Sequence, residues 1–423
     1  MIQSDPELAG VGAVVFDEFH ERSLNADLGL ALCLEIAGAL RDDLILLAMS
    51  ATLDAGPVGR LMEAPLITSE GKSFDVTPEW LDQPVPKGIR YEDAVAGLVE
   101  TAVRKSKGGV LVFLPGEGEI RRVETLLQNR LPGDCAVRPL FGAMDFAAQR
   151  AAIAPVKSGR KIVLATSIAE TSLTIEDIRV VVDGGRARRM RFDPGSGMAR
   201  LHTERVTKAE ATQRAGRAGR VAPGVAYKLW TRGEEGALAA FPPAEIESAD
   251  LANLALELAS WGAPPTELPF LTQPPEGAYN EAVSLLQMLG ALDQRGHITD
   301  HGTALARLPL HPRLGHMLLL SGRDAAILAS LLADRDPIRT RAVDLTLRLQ
   351  ALKGARNVSG TINRGALERI RADAKRLSRL VQPSDEKLTT AEAAGFGLSG
   401  SHRATAQGGC CTVRDDRRQR RRT

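Results

Sequence analysis

The sequence predicts an α/β protein built on parallel sheets, and three observations point to that class. Apolar runs of strand length recur at residues 12–18, 44–52, 109–114 and 161–166. Their apolar residues are consecutive rather than alternating, the pattern of a strand buried on both faces. Segments with helical periodicity lie between them, as the crossovers of a parallel sheet require.

Taken in order, residues 12–18 (GAVVFDE) form a strand that ends in carboxylates. Residues 25–40 carry Leu28, Leu32 and Ile36 at helical spacing, and 44–52 (LILLAMSAT) form a second strand. This βαβ unit is too small to hold a core of its own, so residues 1–67 read as the C-terminal part of a larger domain. Residues 71–90, with Pro78, Pro84 and Pro86, read as a connection. A second α/β series follows and completes a domain over 71–233, with strands at 109–114, 136–141, 161–166, 179–182 and 225–230. Within it, residues 186–206 form a hairpin candidate around Pro194-Gly195-Ser196-Gly197. Its first arm holds Arg186, Arg188, Arg189 and Arg191. A solvated charged hairpin and a working one fit these residues equally well. Residues 234–311 change character: helices at 249–261 and 275–292 precede a tight turn at 293–298. Residues 312–394 are mostly helical. From 395 to 423 the apolar periodicity is lost in a basic stretch with adjacent Cys410 and Cys411. That stretch reads as a nucleic-acid tail, as a disordered tail, or, the reading favoured here, as sequence out of frame.

With 423 residues the chain has room for two or more domains. Lys and Arg number 54 against 52 Asp and Glu, a net charge of +2, so a nucleic-acid surface must be local. Aromatic residues are only 4%, which favours contacts to a nucleic-acid backbone over broad base stacking. The four cysteines show no CxxC spacing, so neither zinc nor a disulfide framework is indicated. No apolar run reaches membrane-spanning length and the first residues do not form a secretory signal. A cytoplasmic protein with no membrane partner is expected.

Chemistry concentrates in a few stretches. Residues 213–220 (QRAGRAGR) repeat arginine every third position, with Gly216 and Gly219 between to let backbone approach a ligand closely. Planar, permanently charged forks suit the oxygens of a transferring phosphoryl group, and a solvated basic helix is the alternative for this stretch alone. Asp17-Glu18-Phe19-His20 stands at the carboxyl end of its strand, where ligands of open α/β sheets bind; two carboxylates capping the next helix would look the same. Ser50-Ala51-Thr52 ends the following strand, and such hydroxyls also serve as ordinary caps. Residues 111–120 run from strand through Gly116 and Gly118 into a helix, but a dinucleotide fingerprint fails because Arg121 stands at its third glycine. Residues 165–177 (ATSIAETSLTIED) crowd hydroxyls at a strand end, including Thr166, Thr171, Ser172 and Thr174.

In this order, on these elements, the four stretches 17–20, 50–52, 165–177 and 213–220 resemble superfamily 2 helicases of the DEAH/RHA branch, and within it the bacterial HrpB-type ATP-dependent helicases. Phe19 stands where the branch name implies Ala, as in the HrpB-like variant. The resemblance implies two RecA-like lobes of the P-loop NTPase type, the first incomplete, followed by winged-helix and helical-ratchet modules. It implies ATP and Mg2+ as cofactors, with single-stranded RNA, or an RNA duplex with an overhang, as substrate. DNA is the less favoured substrate, and movement is 3′ to 5′. Asp17 would hold Mg2+ and Glu18, beside the metal, would orient the attacking water. His20 would couple the lobes, and Ser50 and Thr52 would link to the nucleotide. Gln213, Arg217 and Arg220 would meet the γ-phosphate, Asp177 would face the nucleotide, and Arg214 would face elsewhere. Thr166, Thr174, Gly116 and the hairpin's Arg188 and Arg189 would contact the strand. A phosphate-binding G-x-x-x-x-G-K-[ST] does not precede Asp17, and Gly71-Lys72-Ser73 is a decoy because Leu66 occupies the first glycine position. The chain by itself is therefore expected to lack ATPase activity, and a non-catalytic RNA-binding or inert fragment is the alternative.

Overall fold

A computed structural model describes residues 2, 5–51, 55–69, 71, 73–156, 158–170, 175–193, 198–355, 358–383 and 390–398. The chain divides into two compact units, one of residues 9–191 with 199–249, the other of 1–8, 192–198 and 250–423.

In the first unit, β1 (Ala13–Phe16) and β2 (Ile45–Ala48) pair in parallel, Ala13 opposite Ile45, with α1 (Leu24–Ala39) between them in sequence. Ser23 caps α1 by accepting the Ala26 N–H at 3.3 Å. The helix buries Leu28, Leu32, Cys33 and Ile36. Both strands were expected to be buried on both faces. Instead Val15, Ile45 and Leu47 are exposed, because among the described residues no second layer covers that face.

After α2 (Ala55–Leu61), the chain builds β3 (Val76–Leu81), α3 (Tyr91–Lys105), β4 (Gly109–Phe113), α4 (Glu117–Leu127), β5 (Cys135–Leu140), α5 (Phe146–Ile153), β6 (Arg160–Ala165) and β7 (Ile178–Asp183). The hairpin β8 (Arg186–Asp193) and β9 (Met198–Arg205) comes next. It leads to α6 (Lys208–Gly216), β10 (Gly224–Thr231) and α7 (Arg232–Gly236). Six strands form one sheet in the order β3-β10-β7-β4-β6-β5, every pair parallel. β4 is buried throughout. Its alternate residues serve two cores: Val110 and Val112 join Val99, Ile120 and Val123 on one face, while Leu111 and Phe113 join Val163, Val181 and Ala218 on the other. Each such side chain contributes about 1.5–3 kcal/mol on burial. β3 lies inside the stretch expected to be a connection. Pro78 is tolerated there because β3 is an edge strand with only β10 beside it.

The second unit contains α8 (Ala252–Trp261), α9 (Glu276–Met288), α10 (Asp300–Ala306), α11 (Pro312–Ser321), α12 (Ala326–Ala333), α13 (Leu345–Leu352), α14 (Arg364–Leu377) and α15 (Thr390–Leu398). Gly262, at φ 91°, ends α8 in the left-handed conformation that glycine adopts without strain. The expected turn after α9 is present. Asp293 accepts the N–H groups of Arg295 and His297, each at 2.8 Å, and Leu292 bridges Ile298 antiparallel. Strands β11 (Ile338–Arg339) and β12 (Thr361–Ile362) form a short antiparallel ladder inside the region read as helical. His301 and His316 hydrogen-bond at 2.9 Å in this unit, and burial holds both rings below the usual histidine range. No helix of the described residues is long and apolar enough to cross a membrane.

Candidate functional site

β1 delivers the chain into a turn carrying Asp17 and Glu18. Asp17 accepts the Glu18 N–H at 2.8 Å, and Glu18 takes a left-handed backbone conformation at φ 49°. For a residue with a Cβ that conformation is strained and needs support. Phe19 supplies it. The ring is buried against Phe16, edge to face with centroids 6.2 Å apart. Its N–H donates to the Met49 carbonyl at 2.9 Å, and the Met49 N–H donates to Phe16 at 2.8 Å. The carboxylate turn is thereby fastened to the end of β2, and the aromatic third residue is its anchor.

His20 joins three stretches at once. Its Nδ1 accepts the Ala51 N–H at 3.4 Å and lies 3.5 Å from the Glu18 carboxylate. Its Nε2 is 3.2 Å from the Gln213 side-chain amide. With Nδ1 accepting, Nε2 carries the proton and donates, and the Gln213 amide presents its oxygen once rotated about its last bond. Ser50 is exposed where β2 ends.

The arginine stretch begins in α6, which opens with a reciprocal cap between Thr207 and Glu210. Arg214 is buried. It donates to the Glu170 carboxylate at 2.7 Å, to Asp183 at 2.8 Å and to the Arg186 carbonyl at 3.3 Å, and lies over the Phe113 ring. Burial acts against its charge, but Asp183 and Glu170 outweigh it and hold the guanidinium above its ordinary pKa. Burial pushes the Glu170 carboxyl up, against the pull of Arg214. Arg217 is also buried and donates to the Glu170 backbone carbonyl. Burial, then the neighbouring Arg220, lower its pKa to about 10, while Glu18 and Glu170 act the other way. It stays cationic at neutral pH. Arg220 is exposed. The carboxylate turn and the arginine stretch therefore sense each other through Glu18 and Arg217 and touch through His20 and Gln213.

Glu170 and Asp183 were not among the residues singled out from the sequence, yet they fix Arg214. Their only sequence signal is an acid set between hydroxyls and an acid directly after three valines. Gly219 does allow a close approach, but to the chain itself. A Cβ there would meet the Phe74 carbonyl and come within 2.8 Å of Val76, while at Gly216 it would meet open space.

The candidate strand-contacting residues have other partners in this structure. Gly116 is buried at the start of α4 beneath the Arg188 guanidinium, which pairs with Glu119 at 3.2 Å. Arg189 binds Glu210 at 2.6 Å and Glu204 at 3.3 Å. Thr166 is half-buried at the end of β6, next to the end of β4 that leads to Gly116. Asp177 lies at the opposite, amino-terminal edge of these strands at φ 69°, where its carbonyl accepts the Gly109 N–H at 2.8 Å. Thr52, Thr171, Ser172 and Thr174 lie outside the described residues.

Mg2+ commonly takes one or two carboxylates, with phosphate and water completing its shell. The exposed Asp17 carboxylate beside Glu18 at the strand end fits that donor set, and no group of three or more metal-binding side chains competes among the described residues.

Residues 93–222 match the family described as helicase conserved C-terminal domain, and residues 282–310 match the winged-helix helicase-associated domain HA2. The chain is 48% identical over 342 residues to the ATP-dependent RNA helicase HrpB of Escherichia coli, a match over 79% of this chain and 42% of that protein. It is 33% identical over 370 residues to the probable ATP-dependent RNA helicase DHX34 of Mus musculus, covering 84% of this chain and 32% of that one. The crystal structure of the Escherichia coli DEAH/RHA helicase HrpB superposes with a TM-score of 0.82 at 42% identity, over 94% of this chain and 50% of that chain. The chain thus spans less than half the length of these curated relatives. The motif order, the parallel six-stranded sheet and these likenesses agree, and the chain belongs to the HrpB-type DEAH/RHA helicases.

Proposed function

We propose that the protein is an ATP-dependent RNA helicase in which these residues supply the carboxylate side and the arginine side of the nucleotide site. The observation that carries this reading is His20, which touches the end of β2 and Gln213 while Glu18 and Arg217 act on one another. Phosphoryl transfer needs positioning and charge stabilisation more than covalent chemistry. Glu18 orients the attacking water, and Gln213 holds that water or the γ-phosphate. Arg217 and Arg220 stabilise charge on the γ-phosphate oxygens. Asp17 holds Mg2+, which neutralises phosphate charge when bound. Ser50 and Thr52 link nucleotide and interlobe surface, and Asp177 faces the nucleotide. Thr166, Thr174, Arg188 and Arg189 contact single-stranded RNA, which moves 3′ to 5′, and Gly116 is reached where Arg188 exchanges Glu119 for a phosphate. In the domain order we propose, residues 1–67 and 71–233 belong to the two RecA-like lobes. Residues 234–311 are the winged helix, 312–394 a helical module, and 395–423 a basic tail. The protein works in the cytoplasm.

A second reading, a non-catalytic RNA-binding chain, is kept by one observation: no G-x-x-x-x-G-K-[ST] occurs among the 423 residues. Both readings are tested by ATP hydrolysis with matched single-stranded RNA and DNA. The assay compares the chain alone with a chimaera in which it replaces the matching part of the Escherichia coli relative. The expected result is background hydrolysis by the chain and RNA-stimulated hydrolysis by the chimaera, with weaker stimulation by DNA. A folded chimaera that binds RNA without hydrolysing ATP overturns the helicase reading in favour of the second.

A further inference from the structure

A cavity of about 360 Å³ lies at the carboxyl ends of β7 and β10, and neither the carboxylate turn nor any residue of 213–220 lines it, although Arg214 holds the Arg186 carbonyl from behind at 3.3 Å. Gly184 and Gly185, which follow β7, and Leu229 and Trp230 of β10 form one side, and the loop 84–89 that leads into α3 closes the other. Carboxyl ends of parallel strands are where open α/β sheets take their ligands, and this volume is within the range of small-molecule sites.

Its chemistry is specific. Three cations, Lys87, Arg186 and Arg205, line it against a single carboxylate, Glu234. Glu234 reaches Arg205 only at 3.8 Å, with both side chains open to solvent, so the pair neutralises little. Arg186 is laid on the Tyr91 ring, its guanidinium carbon 4.1 Å from the centroid, which leaves its donors for an incoming anion. Val85, Ile89, Leu229 and Trp230 give apolar walls. Gly185 adopts φ 69°, and a Cβ there would come within 2.9 Å of the Trp230 ring, so the backbone lies directly on the indole. The Tyr91 hydroxyl is buried beside Gly184 with no hydrogen-bond partner. An unpartnered buried hydroxyl costs about 1–3 kcal/mol, a cost that a ligand with a polar edge would remove.

We propose that this cavity binds a small anion with a flat, polar-edged body, of the nucleoside monophosphate class, at a site separate from that of Glu18 and Arg217. The phosphate meets Lys87, Arg186 and Arg205, the ring system lies along the apolar walls, and Tyr91 Oη bonds its edge. The volume admits one nucleotide unit rather than a run of them. The inference stands whether or not the helicase reading does.

The test is equilibrium dialysis of the full chain with labelled AMP, repeated with inorganic phosphate and with a single-stranded oligoribonucleotide as competitors. Three variants are compared: K87E/R205E, whose positions are exposed, R217A as a control at the other site, and Y91F. We expect one saturable site that inorganic phosphate does not displace. Binding should weaken at least about tenfold in K87E/R205E and severalfold in Y91F, and stay unchanged in R217A. Displacement by inorganic phosphate at equal concentration would reduce the cavity to a simple anion patch. Loss in R217A with K87E/R205E unaffected would assign AMP to the other site. Oligoribonucleotide binding that depends on Lys87 and Arg205 without AMP binding would make the surface part of an RNA path. Each of these three results, or the absence of saturable AMP binding, overturns the proposal.

Discussion

Arg217→Ala lowers ATP hydrolysis by the chimaera by about a thousandfold or more, the scale on which an arginine finger acts. ATP binding falls far less, because in the proposed role the guanidinium acts on charge that develops as the γ-phosphate leaves. The site geometry supports both halves of that expectation. Arg217 is buried and donates to the Glu170 carbonyl, so its fork is positioned before any nucleotide arrives. Its lowered pKa of about 10 still leaves it cationic at neutral pH. Arg217→Lys recovers only part of the loss, since an ammonium cannot present two parallel donors. Steady-state kinetics with a parallel thermal melt provides the check. A folded Arg217→Ala chimaera within about threefold of its parent contradicts the assignment.

Arg214→Ala acts on stability instead. Arg214 compensates two buried carboxylates, Glu170 and Asp183, at 2.6 and 2.8 Å. Removing it strands both charges in a site that water does not reach, a change that typically costs about 3–5 kcal/mol. Glu170, already pushed up by burial, loses the charge that opposes the shift and takes up a proton more readily. Urea unfolding of the chain should show the midpoint falling sharply. Adding Glu170→Gln and Asp183→Asn to Arg214→Ala should then recover part of the loss, because the stranded charges are gone. A loss below about 1 kcal/mol would mean that water or another cation reaches the two acids.

The central strands were legible because 109–114 and 161–166 are apolar at nearly every position, a pattern that suits a parallel strand covered on both faces and that is too short for a helix. β3 was hidden by Pro78, since the sequence does not say that the strand will sit on an edge. Strands β1 and β2 carry the same signature, yet one face of each is open. Periodicity records what a residue suits, while burial depends on which layers are beside it. The carboxylate turn and the arginine stretch could be singled out because residue type and spacing are written in the sequence, and the structure brings the two together through His20 and Gln213. The partners that fix them could not be singled out. Glu170 looks like one polar residue among hydroxyls until the fold sets it between Arg214 and Arg217. The hairpin arginines show the converse. Four cations on one arm look unpaired in the sequence, yet Arg188 and Arg189 meet Glu119 and Glu210, acids 69 and 21 residues away, which a phosphate of the proposed RNA strand would have to share or displace.

The most direct test of the nucleotide site is Glu18→Gln in the chimaera, with ATP binding and RNA-stimulated hydrolysis measured on one preparation. The substitution keeps the size and shape of the side chain and removes the charge proposed to orient water. The account predicts ATP binding within about threefold of the parent and hydrolysis reduced by about a hundredfold or more. Hydrolysis within about threefold of the parent would contradict it, and would place the water-orienting group on a residue other than Glu18.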